Sequence, residues 1–396
     1  MPPRSSAPAD APDPALEIAR GRTIARRGLL ASAAAAAAAP ATFACGQTRR
    51  AGRPLHELAS ASGRFYGAAA LLREVRPDSP VRALLQRDCG LLVPEVELNW
   101  DHLAQPADHL RMEEYAAHAR DMGKPLHGHT LLWHRSVPAW AQELLRTAPD
   151  WGIVAAHIRS TIRRYGQGIA YWEVVNEPID TGYRPDGLRG SLFLEAFGPD
   201  YIRRALEEAA AAAPAAKLLI NEFSLDYDIP VERERRRHLL RLLERLLKAG
   251  VPLHGLGVQG HLDLQKRPFS QRVFEAFLAE VAGMGLEIVI TELDVREADL
   301  IQPPQVRDRL VAEHAKAYLD VALDQPATKG VITWGITDRH SWLELGEADL
   351  ARFPGAWQDG TSPGLNRGLP FDSDLRAKPM YYALAAAFQG RALAGG

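Results

Sequence analysis

Eight short apolar segments recur along this chain and alternate with longer amphipathic stretches. They are FYGAAA at 65–70, GLLVPEVE at 90–97, PLHGHTLLW at 125–133, IAYWEVVNE at 169–177, KLLINEF at 217–223, GLGVQGHL at 255–262, EIVITELDV at 287–295 and GVITWGI at 330–336. Each has the length of a buried strand, and the interval between them, about 30 to 45 residues, accommodates a helix and its loops. This alternation predicts an α/β fold, a single-domain (β/α)8 TIM barrel.

One of the intervening stretches is a particularly clear helix prediction. The stretch 231–250, VERERRRHLLRLLERLLKAG, repeats leucine at helical spacing, and Gly250 ends the pattern. Its Arg and Glu residues are typical of a solvated helix face. A doubly wound open sheet is the alternative fold, but its first strand would lead into a glycine-rich phosphate turn, which FYGAAA does not supply.

Composition and charge restrict the function classes. The chain has 396 residues, of which 46% are hydrophobic and 24% charged, and its net charge is -2, so nothing in the charge indicates a nucleic-acid partner. The two cysteines, Cys45 and Cys89, exclude a disulfide scaffold and a zinc site built from cysteine alone. No segment after residue 45 is apolar enough to span a membrane, and we expect a monomer.

The N-terminal region differs from the rest of the chain. Arg26 and Arg27 precede an alanine-rich run and then small residues, which is typical of a twin-arginine export signal over 1–45. We therefore expect an exported protein, periplasmic or secreted, and a lipid anchor at Cys45 is an alternative fate of the mature N-terminus. An alanine-rich tail without a targeting role is the alternative. A lead-in over 46–64 would then precede the barrel domain over 65–390.

Polar and aromatic residues gather at the ends of the predicted strands. Because the active site of such a barrel lies at the carboxyl ends of its strands, these residues are candidates for function. In strand order they are Glu95, Glu97 and Trp100; His129, Trp133 and His134; Asn176 and Glu177; Asn221 and Glu222; Gln259 and His261; Glu292 and Asp294; and Trp334 with Trp342.

Two glutamates in this set suggest a reaction. Glu177 and Glu292 end the fourth and seventh predicted strands, which face each other across an eight-stranded barrel. A retaining glycosidase uses two carboxyl groups about 5–5.5 Å apart, one as nucleophile and one as acid/base. The tryptophans can stack on sugar rings, and the Asn and Gln amides can bind hydroxyl groups. The pattern predicts a glycoside hydrolase with an oligosaccharide or polysaccharide substrate and no cofactor.

The motifs WEVVNEP, HGHTLLWH, VQGHLD, VITELDV and WGITDRHSWL resemble, in this order, those of glycoside hydrolase family 10, the barrel endo-1,4-β-xylanases. The resemblance runs from about residue 65 to the terminal PFDSDLRAKPMYYAL. It implies that Glu177 is the acid/base and Glu292 the nucleophile of a double displacement on xylan. The substrate-binding residues it implies are Glu95, His129, Trp133, Asn176, Asn221, Gln259, His261, Trp334 and Trp342, with Asp294 and Glu173 supporting the histidines.

Several positions depart from the family pattern. Val96, Asn99 and Ser136 stand where the family usually has Asn, Lys and Gln, at the subsite one step from the cleavage point on the non-reducing side. The resemblance therefore implies an altered or shorter glycone subsite, and a decorated or different β-glycan is an alternative substrate. Glu173 replaces an Asp, so its longer side chain is expected to shift His129.

Two rival functions remain open from the sequence. His127 and His129 lie on one face of a strand, as in metal-dependent amidohydrolase barrels, and His261 and Asp338 are conceivable further ligands. That reading leaves the two glutamates and the tryptophans unexplained, so we expect no metal. A non-catalytic sugar-binding barrel is the second rival, and the presence of both carboxylates argues against it.

Overall fold

The computed structural model describes residues 52–266, 269–297, 302–343 and 366–391. The export signal predicted over 1–45, with Cys45, lies outside the described residues. The strands are β1 (Phe65–Ala70), β2 (Leu91–Pro94), β3 (Leu132–Trp133), β4 (Tyr171–Asn176), β5 (Lys217–Glu222), β6 (Gly255–Val258), β7 (His261–Asp263), β8 (Glu287–Arg296) and β9 (Thr328–Thr333).

Helices follow the strands along the chain. They are α1 (Leu55–Ala61), α2 (Leu72–Val75), α3 (Arg82–Asp88), α4 (Pro106–Asp121), α5 (Ala139–Thr147), α6 (Trp151–Tyr165), α7 (Leu192–Phe197), α8 (Tyr201–Ala212), α9 (Pro230–Lys248), α10 (Gln271–Gly283), α11 (Pro304–Asp324) and α12 (Pro379–Gln389). Short 3-10 turns lie at Asp101–Leu103, Gly198–Asp200 and Asp338–His340. In the described part of the chain, no helix combines the length and the apolarity needed to cross a bilayer.

The strands form a curled parallel sheet in the order β2-β1-β9-β8-β6-β5-β4-β3. The segment 125–133 closes it, because Leu126 pairs with Leu92 of β2 and Gly128 pairs with Trp172 of β4. A cluster from β1, β2, β5, β8 and β9 fills the interior; its members are Ala69, Leu91, Val93, Leu219, Val289, Ile332 and Trp334. Residues from strands all around the sheet meet only inside a barrel, so the (β/α)8 prediction is confirmed.

Two predicted strands differ in detail from the observed ones. Only Leu132–Trp133 of the segment 125–133 is a regular strand, and isolated bridges hold the rest. The segment 255–262 divides into β6 and β7, with Gly260 at a φ of 73° between them. Positive φ is accessible to glycine at little cost, so the chain turns there and brings His261 to the end of β8.

Helix α9 matches the predicted helix 231–250 closely. Pro230 occupies its first turn, where a missing N–H costs nothing. Its apolar face buries Leu239, Leu242, Leu243 and Leu246, and Gly250 follows its end with a φ of 71°. The leucine spacing therefore predicted the buried face of the helix correctly.

Candidate active site

The chain changes direction sharply where β4 ends. Glu177 has a φ of 56°, in the left-handed region that non-glycine residues adopt at a cost of about 1 kcal/mol or more. Its N–H donates to the carbonyl of Asn221 at 2.8 Å, and its own carbonyl accepts from Arg189 Nε at 2.8 Å. These bonds hold the turn, so that Asn176 and Glu177, although adjacent, both reach Gln259.

The two candidate catalytic carboxylates belong to one network of side-chain amides. Asn221 Nδ2 donates to Glu292 Oε1 at 2.7 Å and to Asn176 Oδ1 at 2.9 Å. Gln259 Nε2 donates to Asn176 Oδ1 at 3.4 Å and to Glu177 Oε1 at 3.3 Å. The ends of β4, β5, β6 and β8 thus bring together the residues that the sequence predicted there.

A histidine–aspartate pair supports Glu292. His261 Nε2 lies 3.0 Å from Glu292 Oε2, and its Nδ1 lies 2.9 Å from Asp294 Oδ1. Trp342 Nε1 donates to the other oxygen of Asp294 at 2.6 Å. Burial alone would lower the pKa of His261, but Asp294 and then Glu292 outweigh it and raise that pKa to about 10. The imidazolium therefore stabilises negative charge on Glu292.

A second histidine pair lies deeper in the barrel. Glu173 Oε2 accepts from His129 Nδ1 at 2.7 Å, while Oε1 accepts from His127 Nε2 at 2.8 Å. Burial would lower the pKa of His129, but the Glu173 carboxylate raises it to about 9. Burial would raise the pKa of Glu173, yet His129 and His127 lower it. The longer side chain of Glu173 spans both imidazoles and holds the Nδ1–H of His129.

Three tryptophans surround these polar groups. The Trp334 ring lies 4.9 Å from the His129 ring and 6.4 Å from the His261 ring. The Trp342 ring lies 5.0 Å from that of His261 and is 49% exposed, which leaves a face open to a ligand. Trp133 Nε1 is buried and has no hydrogen-bond partner among the residues that the structure describes, so an indole donor is available at the end of β3.

Glu95 lies on the His129 side of the site. Burial raises its pKa to about 8, and the nearby carboxylates of Glu74 and Glu97 add to this effect. At neutral pH the Glu95 carboxyl group therefore carries a proton and can donate a hydrogen bond.

Two of the predicted residues that follow β2 lie outside this site. The Trp100 ring is buried and stacks on His157 at 4.2 Å, in the helical layer. Glu97 Oε1 accepts from the N–H of Leu72 at 2.7 Å, at the start of α2. Both have local structural partners, and β2 is represented at the site by Glu95 alone.

The groups invoked for a metal site have other partners. Both imidazoles of HGH bind Glu173. Asp338 forms an ion pair with Lys378 at 2.7 Å and accepts from the N–H of Leu369 at 3.1 Å. The histidines and Asp338 therefore take part in separate networks.

Sequence reasoning missed residues that orient the network. Thr291 Oγ1 donates to Asn221 Oδ1 at 2.7 Å, which sets the direction of the amide. Strict strand alternation would point Thr291 away from Glu292, but the β8–β9 pairing is irregular between Ile290 and Leu293. Arg189 was missed because it lies twelve positions after Glu177 in a loop; only its charge could have suggested a role.

The family model described as glycosyl hydrolase family 10 matches residues 54–387 of this chain. The chain belongs to glycosyl hydrolase family 10. It is therefore a glycosidase.

Relatives within family 10 span bacteria and fungi. Endo-1,4-beta-xylanase B of Thermotoga neapolitana is 29% identical over 309 residues, covering 76% of this chain and 80% of that protein. Endo-1,4-beta-xylanase 1 of Humicola insolens is 30% identical over 304 residues, covering 73% and 67%. The crystal structure of xylanase 10B from Thermotoga petrophila RKU-1 in complex with xylobiose superimposes with a TM-score of 0.70 at 27% identity, covering 86% of this chain and 98% of that chain.

Proposed function

We propose that this protein is a retaining endo-1,4-β-xylanase, with Glu292 as nucleophile and Glu177 as acid/base. The observation that carries the proposal is the amide network that joins these two carboxylates at the ends of β8 and β4. Two carboxyl groups that flank one bond are what retaining glycoside cleavage requires.

The first step forms a glycosyl–enzyme bond. A Glu292 oxygen attacks the anomeric carbon while Glu177 gives its proton to the departing glycosidic oxygen. His261, paired with Asp294, and the Asn221 amide hold the attacking carboxylate in place. In the second step Glu177 accepts a proton from water, which attacks the anomeric carbon and releases Glu292.

The neighbouring residues position the sugar at the cleavage point. Asn176 is placed to bind the 2-hydroxyl beside Glu292, because its amide lies between both carboxylates in the network. His129 and Gln259 contribute further polar contacts. Trp334 and Trp342 offer ring faces on the opposite side of the barrel mouth from β4.

The named relatives support xylan as the substrate, since they are endo-1,4-beta-xylanases. The test is product analysis on xylan, mixed-linkage glucan, mannan and arabinan side by side. Oligomers from xylan with retained β-configuration at the new reducing end are expected. Inverted products would contradict the mechanism, preferential cleavage of another glycan would contradict the substrate, and binding without hydrolysis would favour a sugar-binding protein.

We further propose that the subsite one step toward the non-reducing end binds xylose weakly. Asn99 carries a short amide where the family usually has a Lys ammonium, and Ser136 a short hydroxyl where it usually has a Gln amide. The Ser136 hydroxyl donates to Asp101, and Val96 has no polar side-chain atom. Each missing hydrogen bond is worth about 0.5–1.5 kcal/mol.

Rates on a ladder of xylo-oligosaccharides test this subsite. Adding a sugar at that position is expected to raise kcat/KM by about threefold or less, because few contacts reward it. A gain of about a hundredfold or more would show that other loops replace the missing donors.

We also propose that residues 1–45 direct export. The support is the Arg26-Arg27 pair followed by the alanine-rich run. Fusion of this segment to a reporter that folds before export tests the proposal, since an Arg26→Lys and Arg27→Lys double variant should keep the reporter inside the cell. Equal export of both fusions would contradict it.

A further inference from the structure

The backbone turn that presents the candidate acid/base, Glu177 to Ile179, is bonded at each of its polar groups. The carbonyl of Pro178 accepts from the N–H of Arg189 at 2.8 Å, and the carbonyl of Ile179 accepts from Arg189 Nη2 at 3.0 Å. The N–H of Ile179 donates to Glu222 Oε2 at 2.8 Å. Because the N–H and the carbonyl of Glu177 are also bonded, every backbone donor and acceptor of the turn has a partner.

A buried arginine of α9 reaches the same turn. Arg235 is 7% exposed, and its Nη1 donates to the Ile179 carbonyl at 2.6 Å and to Glu222 Oε1 at 3.3 Å. Its guanidinium lies over the Phe223 ring, with Cζ 4.2 Å from the ring centroid, and the Arg189 guanidinium lies 5.5 Å from the same centroid. The turn clamp, defined as Arg189, Glu222 and Arg235, thus joins the turn to β5 and α9.

The charges of the turn clamp depend on one another. The Glu222 side chain is fully buried. Burial raises the pKa of Glu222 to about 7, while the charge of Arg235, and then that of Arg189, lowers it. Removing one partner of a buried ion pair leaves the other charge uncompensated. Loss of Arg235 therefore disturbs Glu222 as well as the Ile179 carbonyl.

The conformation of Glu177 explains why the turn needs such support. Its φ of 56° is unfavourable for a residue with a side chain, and such a conformation persists only where the surroundings over-determine it. The bond from Gln259 to its carboxyl group is long, at 3.3 Å, so the backbone has a large share in positioning that group. A displacement of about 1 Å at a reacting group can cost about a hundredfold in rate.

We propose that Glu222 and Arg235 are positioning residues for the acid/base. With Arg189 they hold the turn that aims the Glu177 carboxyl group at the leaving oxygen. The inference rests on the proposed function of Glu177 and extends it to two residues that act through the backbone. Because they act through proton transfer by Glu177, their loss should matter most where the leaving group needs a proton.

Aryl xylobiosides whose phenols differ in acidity test this positioning. Arg235→Met keeps a long side chain but removes the charge and the donors. It is expected to lower kcat/KM by about tenfold to a hundredfold for a weakly acidic phenol. For dinitrophenol, which departs without a proton, the loss should be less than about threefold. Arg235→Lys retains the charge and a donor, so its loss on the weakly acidic phenol should be smaller than that of Arg235→Met.

Arg236→Met is the matched control. Arg236 is also buried on α9, but its Nη1 donates to the carbonyls of Leu225 and Tyr227, both at 2.8 Å, which lie outside the turn. Its substitution removes a comparable buried guanidinium. Any change in kcat/KM should therefore be the same for every phenol.

Glu222→Gln tests the turn clamp from β5 and does not require Arg235→Met to fold. It should also lose most rate on the weakly acidic phenol, and the double variant should lose little more than Arg235→Met alone, because both residues act on one turn. Losses that are equal for all phenols, or that multiply in the double variant, would overturn the positioning role while leaving the proposed function intact. A parent protein that cleaves neither xylan nor any aryl xylobioside would overturn the proposed function and the inference with it.

Discussion

Glu177 and Glu292 have the same side chain in different surroundings. Glu292 is bound by Asn221 at 2.7 Å and by His261 at 3.0 Å, and 6% of its side chain is exposed. Glu177 receives a longer bond, 3.3 Å from Gln259, His134 Nδ1 lies 4.0 Å from its other oxygen, and 14% of its side chain is exposed. Donors on both oxygens stabilise the negative charge that a nucleophile needs, whereas a more accessible carboxyl group can exchange its proton with a leaving group and with water.

This difference predicts different responses to substitution. Glu292→Ala is expected to lower kcat by about four orders of magnitude or more on every substrate, because no covalent intermediate can form. Glu177→Ala should lower kcat/KM on xylan by about a hundredfold to ten-thousandfold, but much less on an activated aryl xylobioside whose leaving group needs no proton. Initial rates on both substrates measure this, and equal losses in Glu177→Ala would contradict the role assignment.

Glu173 shows how a longer side chain can serve two partners. Its carboxylate accepts from His127 and His129, and all three side chains are almost fully buried. Glu173→Gln should lower the pKa of His129, because the neutral amide no longer favours the imidazolium, and should destabilise the fold by about 1–3 kcal/mol through an unsatisfied buried donor. An NMR titration of the His129 ring measures the first effect and urea denaturation the second.

Glu287→Gln is the matched control for Glu173→Gln. Glu287 accepts from the Tyr171 hydroxyl at 2.9 Å, near the amino end of β8. Its substitution should leave the titration of His129 unchanged. A His129 pKa that does not move in Glu173→Gln would show that Glu173 does not control that charge.

At the scale of elements, irregularities in strand pairing help to direct the site residues toward the barrel mouth. The β4–β5 register shifts between Glu173 and Val175, and the β8–β9 register shifts between Ile290 and Leu293. Such irregularities turn consecutive side chains toward one side, which an ideal strand cannot do. The barrel thereby gathers more polar groups at its mouth than strict alternation allows.

Gly257 of β6 allows the amide network to fit. A Cβ at this position would clash with Asn221 Oδ1, the atom that accepts from Thr291. Gly257→Ala is therefore expected to displace Asn221, lowering kcat/KM by about tenfold or more and stability by about 1–3 kcal/mol. Gly283→Ala is the control, since no atom lies within 4 Å of its added Cβ. Activity of Gly257→Ala equal to that of the control would refute this account of the network.

At the scale of the whole molecule, buried charge makes stability depend on pH. The pKa of His261 is raised to about 10 and that of His129 to about 9, from an ordinary value of 6.5. The two imidazolium charges stabilise the folded state fully below pH 6.5, and this stabilisation is lost as the pH rises through the folded pKa values. Between the unfolded pKa and the folded pKa of each histidine, only the folded state retains the proton.

The free energy of unfolding should therefore fall between pH 7 and pH 9, by up to about 1.4 kcal/mol per pH unit for each retained proton. His261→Asn should make the slope of this fall shallower by the contribution of about one proton, because the folded variant no longer retains the proton of His261. Urea denaturation at several pH values measures both slopes. Stability that is constant or rising across this range in the parent protein would contradict the charged state of the two histidines.

The sequence by itself determined the barrel, helix α9 and the two glutamates at the ends of β4 and β8. Apolar segments, leucine spacing and terminal polar residues are local signals, so they can be read without knowing which segments meet. The prediction that Trp100 joins the site was wrong because stacking on His157, a partner distant in sequence, decides its position. The sharing of Glu173 between two histidines and the orientation of Asn221 by Thr291 likewise depend on contacts between separate segments. Only the tertiary structure decides these, because side-chain direction and tautomer follow from packing and hydrogen bonding across the barrel.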